Sequence, residues 1–397
     1  MKKKFYILLS IIAIITFLYT SSSTNTYFGR FIKWRASDIE DYIKFPKYEF
    51  EASSKPFYFF KTLDSKLNNI KVTKIKDEKN ELLDILETSG TTAFLVIKND
   101  TLIFEKYLNG YQENSINTSF SVAKSITSLI TGVAIDEKLI HSVNDPVVKY
   151  IPDLIHTDSK YKNLLISQLM DMRSGIQFKD HDLPWGDKPK AYYYPNLRER
   201  ILELPLEYEP GTKFKYNSYN PILIGMIIEK VTNFPPAKYF EQKLWNELGM
   251  EYPGSWSMDS EKSGMTKMES GLNIRAIDFA KFGRLVLNNG SWNGKQLISK
   301  DWMNYSFNIS EKYKLPKYAN DLYYRNFWWI YANKRNADYE IKSIAGTGHL
   351  GQYLFVFPKE KIIIIRMGKE NKKVDSWRKI FVEIVAYIKN DYAQQKV

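Results

Sequence analysis

Two groups of β-prone runs, near residues 93–107 and 327–367, enclose a long stretch of helical periodicity. That segregation limits the chain to a mixed fold in which strands from distant segments meet in one sheet. Ala93–Ile97 and Leu102–Tyr107 are joined by Lys98, Asn99, Asp100 and Thr101, a hairpin signal. Phe327–Tyr331, Gln352–Phe357 and Ile362–Met367 read as strands, and Ser376–Tyr392 as an amphipathic closing helix. Residues 165–290 read as mainly helical, including Pro221–Val231 and Ile277–Leu287, with Trp185–Tyr194 as a loop between helices. The expected architecture is α/β (α+β), an antiparallel sheet from both chain ends flanked by helices, with an all-helical subdomain at about 140–290. Residues 23–88 mix aromatics and charges without a sustained period and read as an irregular lead segment on a main domain of residues 89–393.

The chain opens Met-Lys-Lys-Lys, followed by an apolar run from Phe5 to Tyr19 broken only by Ser10 and Thr16. A basic stretch before an apolar one reads as a signal peptide or an N-terminal membrane anchor within residues 1–22, and the two remain equally open. The run is short of the roughly 20 residues that span a bilayer, and no Ala-x-Ala site follows it. Either reading exports the body, to the periplasm or cell surface. With no cysteine, the chain has no disulfide, thiolate chemistry, Cys-ligated zinc or lipidated cysteine. The histidines at 141, 156, 181 and 349 have no metal-ligand spacing, so neither a metal nor a cofactor is expected. The net charge of +12 comes from scattered lysines without a basic stripe interleaved with aromatics, so nucleic acid is not an expected partner.

Ser-x-x-Lys occurs at Ser121, Ser159 and Ser376. Ser159 lies in a polar loop and Ser376 in a charged stretch, whereas Ser121 opens an apolar helix (Ser121–Leu139) carrying Val122, Ile126, Leu129, Ile130 and Val133 at helical spacing. Residues three apart on a helix share a face with Cβ atoms roughly 5–6 Å apart, so Lys124 can reach the Ser121 hydroxyl. Serine needs an adjacent base, and a lysine in a dry pocket loses its proton readily. The helix start also presents backbone N–H groups to a developing oxyanion.

A second element, Pro210-Gly211-Thr212-Lys213-Phe214-Lys215-Tyr216-Asn217-Ser218, precedes an apolar helix, and a third, Gly346-Thr347-Gly348-His349-Leu350-Gly351-Gln352, precedes a strand. With Ser121-x-x-Lys124 these resemble the three active-site motifs of the serine β-lactamase and DD-peptidase superfamily. The Ser218 form is nearest to its 6-aminohexanoate-dimer hydrolase and esterase branches. Asn144–Pro152, Leu169–Gly175, Ala276–Gly283 and Gly290–Leu297 look like family framework, so the resemblance covers about residues 90–370. It implies Ser121, Lys124 and Tyr216 as catalytic residues and the backbone N–H groups of Ser121 and Gln352 as an oxyanion hole. Ser218, His349 and Gly351 would face the substrate.

Acyl-enzyme hydrolysis of a small-molecule or peptide ester or amide outside the cytoplasm follows from that resemblance. His349 stands where many β-lactamases present a lysine to the substrate carboxylate, and Ser218 stands where Asn is common, which places esterase or amidase action ahead of β-lactam hydrolysis. The alternatives are a DD-peptidase or penicillin-binding protein acting on cell-wall peptides, and a catalytically silent envelope binding protein of the same fold.

Overall fold

The computed structural model describes residues 2–315, 317–370 and 373–394. Its centre is an eight-stranded sheet built from both ends of the chain. Thr91–Lys98 and Thr101–Tyr107 pair antiparallel. Between them Asn99 and Asp100 both adopt positive φ, 49° and 61°, as a two-residue hairpin turn requires. Thr91–Lys98 then pairs with Ile362–Gly368, which pairs with Gln352–Phe357, so residues some 270 positions apart become neighbours. Asp338–Gly348, Trp328–Arg335 and Leu322–Arg325 continue the sheet. Phe60–Lys61 closes the far edge in parallel with Thr101–Tyr107.

Alternation along these strands gives the sheet two apolar faces. Leu95, Ile97, Leu354, Val356, Ile363 and Ile365 point into the main core, with the Val122–Asp136, Tyr219–Thr232 and Ala276–Leu287 helices. Phe94, Val96, Phe355, Phe357 and Ile364 point the other way, against Leu82–Thr88 and the C-terminal Trp377–Gln394 helix. This is the expected layering of helices on an antiparallel sheet drawn from both chain ends.

Three expectations are corrected. The 140–290 region is not all helical: Gly254–Ser257 and Leu272–Ile274 are strands in a second, four-stranded sheet with Lys47–Phe50 and Asn117–Thr118. These runs are too short for a period of two to show. Residues 23–88 are not irregular throughout, because Tyr27–Trp34 is a helix, Lys47–Phe50 joins the second sheet, and Lys71–Ile75 pairs with Glu78–Glu81. Trp185–Tyr194 holds a helix, Asp187–Tyr193, whose aromatics pack on the lead segment. At the N-terminus Lys2–Ser22 is helical and leaves Phe5, Ile12 and Ile15 exposed, and among the described residues no helix is long and apolar enough to cross a membrane.

The Val122–Asp136 helix lies directly on the Asp338–Gly348 strand, and two glycines permit it. A Cβ at Gly346 would stand 2.6 Å from Val122 Cγ1, and one at Gly348 would stand 2.5 Å from the Ser119 carbonyl oxygen. Both distances are well inside contact range. Gly346→Val is therefore expected to cost about 1–3 kcal/mol of stability, in the range of core overpacking. Urea unfolding of wild type and variant measures it.

Candidate active site

Ser121 occupies the N-cap position of the Val122–Asp136 helix, yet its side chain makes no capping bond. The preceding Phe120 has φ +46°, a left-handed conformation that costs a non-glycine residue of order 1–3 kcal/mol. It is held by Ser119 N–H donating to the Leu272 carbonyl (2.8 Å) and Ala123 N–H donating to the Phe120 carbonyl (2.9 Å). The strained turn releases the Ser121 hydroxyl from its local backbone and leaves it to two other side chains.

The first is Lys124, one turn along the helix. Its Nζ donates to Ser121 Oγ at 3.0 Å and to the Glu269 carbonyl at 2.8 Å, and the side chain is buried. Burial penalises the charged amine and brings its pKa down to about 7; Glu269 opposes the shift and Lys267 adds to it. Lys267 and Glu269 are themselves a buried ion pair at 2.8 Å, with Ser270 Oγ donating to the same carboxylate oxygen at 2.8 Å.

The second is Tyr216, hydrogen-bonded to Ser121. Burial pushes the phenol up to about 12, against the lowering effect of that bond, so it is protonated at neutral pH. Its ring stacks on Trp329 at 5.6 Å and lies 5.2 Å from Lys124 Nζ. The site thus pairs a near-neutral amine with an un-ionised phenol on one hydroxyl, which separates the base role from the acid role. Ser218 caps the next helix at its N-terminus without a side-chain bond and lines the same cavity. Asn217 is structural, donating to the Ile176 carbonyl at 3.0 Å and accepting from Tyr219 N–H at 2.9 Å.

The third motif folds differently from its sequence expectation. Asp338–Gly348 and Gln352–Phe357 form a hairpin in which Gly348 pairs with Gln352, and the His349–Gly351 turn projects between them. His349 lines the cavity, its ring edge-on to Phe120 at 5.4 Å. Gln352 and Gly351 do not line it. Gln352 is fully buried and its side-chain amide donates to the His349 and Gly368 carbonyls, bracing the turn from behind. The Gly351 carbonyl likewise faces away, accepting from the buried Arg366 guanidinium at 2.7 Å. At this turn the cavity wall is therefore formed by His349, a placement that counting along the motif could not reveal because the hairpin register decides it.

The cavity has a volume of about 880 Å³ and is lined by Ser121, Lys124, Tyr216, Ser218 and His349 together. Sequence reasoning missed Glu269 and Ser270, which sit in a segment with no motif spacing, and also the wall at Phe31, Ile32 and Arg35. Tyr192 and Tyr193 also line the cavity, from the segment that the sequence reads as a loop. The remaining Ser-x-x-Lys serines stand apart from the cavity: Ser159 opens a short 3-10 turn and Ser376 accepts from Lys379 N–H at 3.3 Å.

The electrostatics give a signed prediction. Removing a neighbouring positive charge favours the Lys124 ammonium, and removing a negative one disfavours it. By carbon-13 NMR of Lys124 Cε, the amine is expected to titrate near pH 7, higher in Lys267→Met and lower in Glu269→Gln. Movement of the two variants in the same direction would contradict the electrostatic account.

Residues 86–385 match the Beta-lactamase family model. A 6-aminohexanoate-dimer hydrolase of Paenarthrobacter ureafaciens is 25% identical over 301 residues, 71% of this chain and 74% of that protein. A provisionally assigned D-alanyl-D-alanine carboxypeptidase of Salmonella typhimurium is 28% identical over 182 residues, 40% of this chain, so the match spans only 41% of that relative. Among solved structures, a Bacillus anthracis protein provisionally assigned as a 6-aminohexanoate-dimer hydrolase superposes with a TM-score of 0.77 at 23% identity, covering 92% of this chain and 95% of its own. A penicillin-binding protein of Bacillus halodurans superposes with a TM-score of 0.57 at 15% identity, covering 76% and 96%. With its sheet, its helices and most of its length inside that match, the chain belongs to the Beta-lactamase family and is a serine hydrolase.

Proposed function

We propose that the protein hydrolyses an ester or amide through an acyl-enzyme on Ser121. The observation that carries this is the 3.0 Å contact between Ser121 Oγ and an amine held near neutrality by burial. Neutral Lys124 takes the hydroxyl proton as Ser121 Oγ bonds to the substrate carbonyl carbon, and the carbonyl oxygen becomes an oxyanion. The backbone N–H groups of Ser121 and His349 stabilise that oxyanion; preorganised donors of this kind contribute about 3–4 kcal/mol each. Tyr216, un-ionised and bonded to Ser121, relays the proton to the leaving alkoxide or amine as the carbonyl re-forms. Water, deprotonated by the same amine, then releases the acid and restores Ser121.

An ester or amide of modest size suits the cavity, with Phe120, Phe178 and Tyr192 forming apolar wall. The matched relative named as a 6-aminohexanoate-dimer hydrolase supports hydrolysis of a small molecule, whereas the match to the carboxypeptidase covers less than half of either chain. We place the reaction outside the cytoplasm, supported by Lys2–Lys4 ahead of the apolar Phe5–Tyr19 run.

Labelling with a fluorophosphonate and turnover of p-nitrophenyl butyrate test the assignment. Wild type is expected to do both, and Ser121→Ala neither; a labelled Ser121→Ala protein would refute the nucleophile. Lys124→Met and Tyr216→Phe are each expected to lower kcat by about 10²–10⁴, the range of a lost acid or base. Fluorescent penicillin binding in place of ester turnover would favour the cell-wall peptide reading.

A further inference from the structure

One wall of the cavity comes from the lead segment, outside the residues 86–385 that match the family. Phe31, Ile32 and Arg35 line it from the Tyr27–Trp34 helix and its C-terminal end. This helix is fixed in place. The buried Arg30 guanidinium donates to the carbonyls of Thr24 (2.6 Å) and Asp259, and Trp34 packs edge-on against Phe45 at 4.8 Å. Arg35 itself has φ +54°, a strained conformation for a residue other than glycine. Its N–H donates to the Phe31 carbonyl at 3.2 Å and its carbonyl accepts from the Tyr193 hydroxyl at 2.9 Å, so both backbone groups are tied to the cavity wall.

The charges around the cavity differ in how they are matched. Lys188 pairs with Asp180 at 3.0 Å and reaches Asp182 at 4.0 Å. Glu269 is paired with Lys267. Lys124 is held near neutrality and bonded to Ser121. Arg35 is exposed to the cavity, and among the described residues no carboxylate lies within ion-pair distance of its guanidinium. Arginine stays charged at any working pH and presents a planar fork suited to a carboxylate.

We propose that Arg35 binds a carboxylate carried by the substrate, with Phe31 and Ile32 packing on the carbon chain between that carboxylate and the carbonyl attacked by Ser121. The inference rests on the Ser121 reading and adds the substrate class to it: a monoester or monoamide of a dicarboxylic acid. The acidic Asp180 and Asp182 would instead favour an ammonium-bearing substrate, but Lys188 already faces them.

The test compares kcat/KM for p-nitrophenyl esters of matched length ending in a carboxylate (adipate), a methyl group (hexanoate) and an ammonium (6-aminohexanoate). Wild type is expected to prefer the adipate ester. The adipate-to-hexanoate ratio is expected to fall at least about fivefold in both Arg35→Gln and Arg35→Glu, the size of a partly exposed ion pair. A smaller fall in either variant, or a wild type that prefers the hexanoate or ammonium ester, overturns the assignment. Fluorophosphonate labelling separates the two failures. A labelled wild type with no preference for, or no turnover of, the adipate ester overturns Arg35 alone, whereas a wild type that neither labels nor turns over any of the three esters overturns the Ser121 reading.

Discussion

A lysine ammonium removed from water is the constraint around which the rest of this structure is arranged. Lys124 lies on a helix whose residues from Val122 to Ala134 are all buried, between the large sheet and the Lys267–Gly271 segment. Desolvation alone lowers its proton affinity, and the neighbouring ion pair sets the balance: Lys267 pushes down and Glu269 pulls up. A buried pair is a poor source of stability, because desolvating two charges offsets much of their attraction. Its placement beside the amine gives it a different role, tuning a base to neutral pH while the Glu269 carbonyl holds that base toward Ser121.

The turn facing this pair is supported by another buried cation. Among the described residues no carboxylate pairs with Arg366; its guanidinium bonds to Thr91 Oγ1 and to the carbonyls of Ser89, Gly351 and Glu370, and it stacks on Trp377 at 3.9 Å. Burial pulls its pKa down to about 9, which still leaves it charged at neutral pH. Leaving such a group unpaired would cost several kcal/mol, so those carbonyls are held in place around it. One of them belongs to the turn that carries His349, and the Gln352 amide secures the same turn from a second side. The turn that carries His349 is therefore held in place from an inner strand of the sheet, by a residue that does not line the cavity.

The cavity is a composite. Its base and nucleophile come from one helix, its phenol from a loop before another, its turn from a hairpin between two inner strands, and one wall from residues ahead of the family match. The shared fold thus presents the reactive hydroxyl, while Phe31, Ile32 and Arg35 shape what can approach it. Such a division lets substrate preference vary without disturbing Ser121 or Lys124.

The sequence by itself determined the features whose cause is local. Asn99-Asp100 between two β-prone runs specifies its hairpin because those residue types tolerate positive φ. The apolar period after Ser121 specifies a buried helix, and the spacing of three brings Lys124 to the hydroxyl through helix geometry alone. The meeting of Tyr216 with that pair was legible only as a resemblance between motifs. Tertiary structure decided everything that depends on pairing across long separations. The strands at 254–257 and 272–274 exist through partners elsewhere in the chain, Glu269 reaches Lys124 across 145 positions, and hairpin register sets which residue of the third motif, His349, lines the cavity. Periodicity reports which face of an element is buried, but carries no record of what covers it.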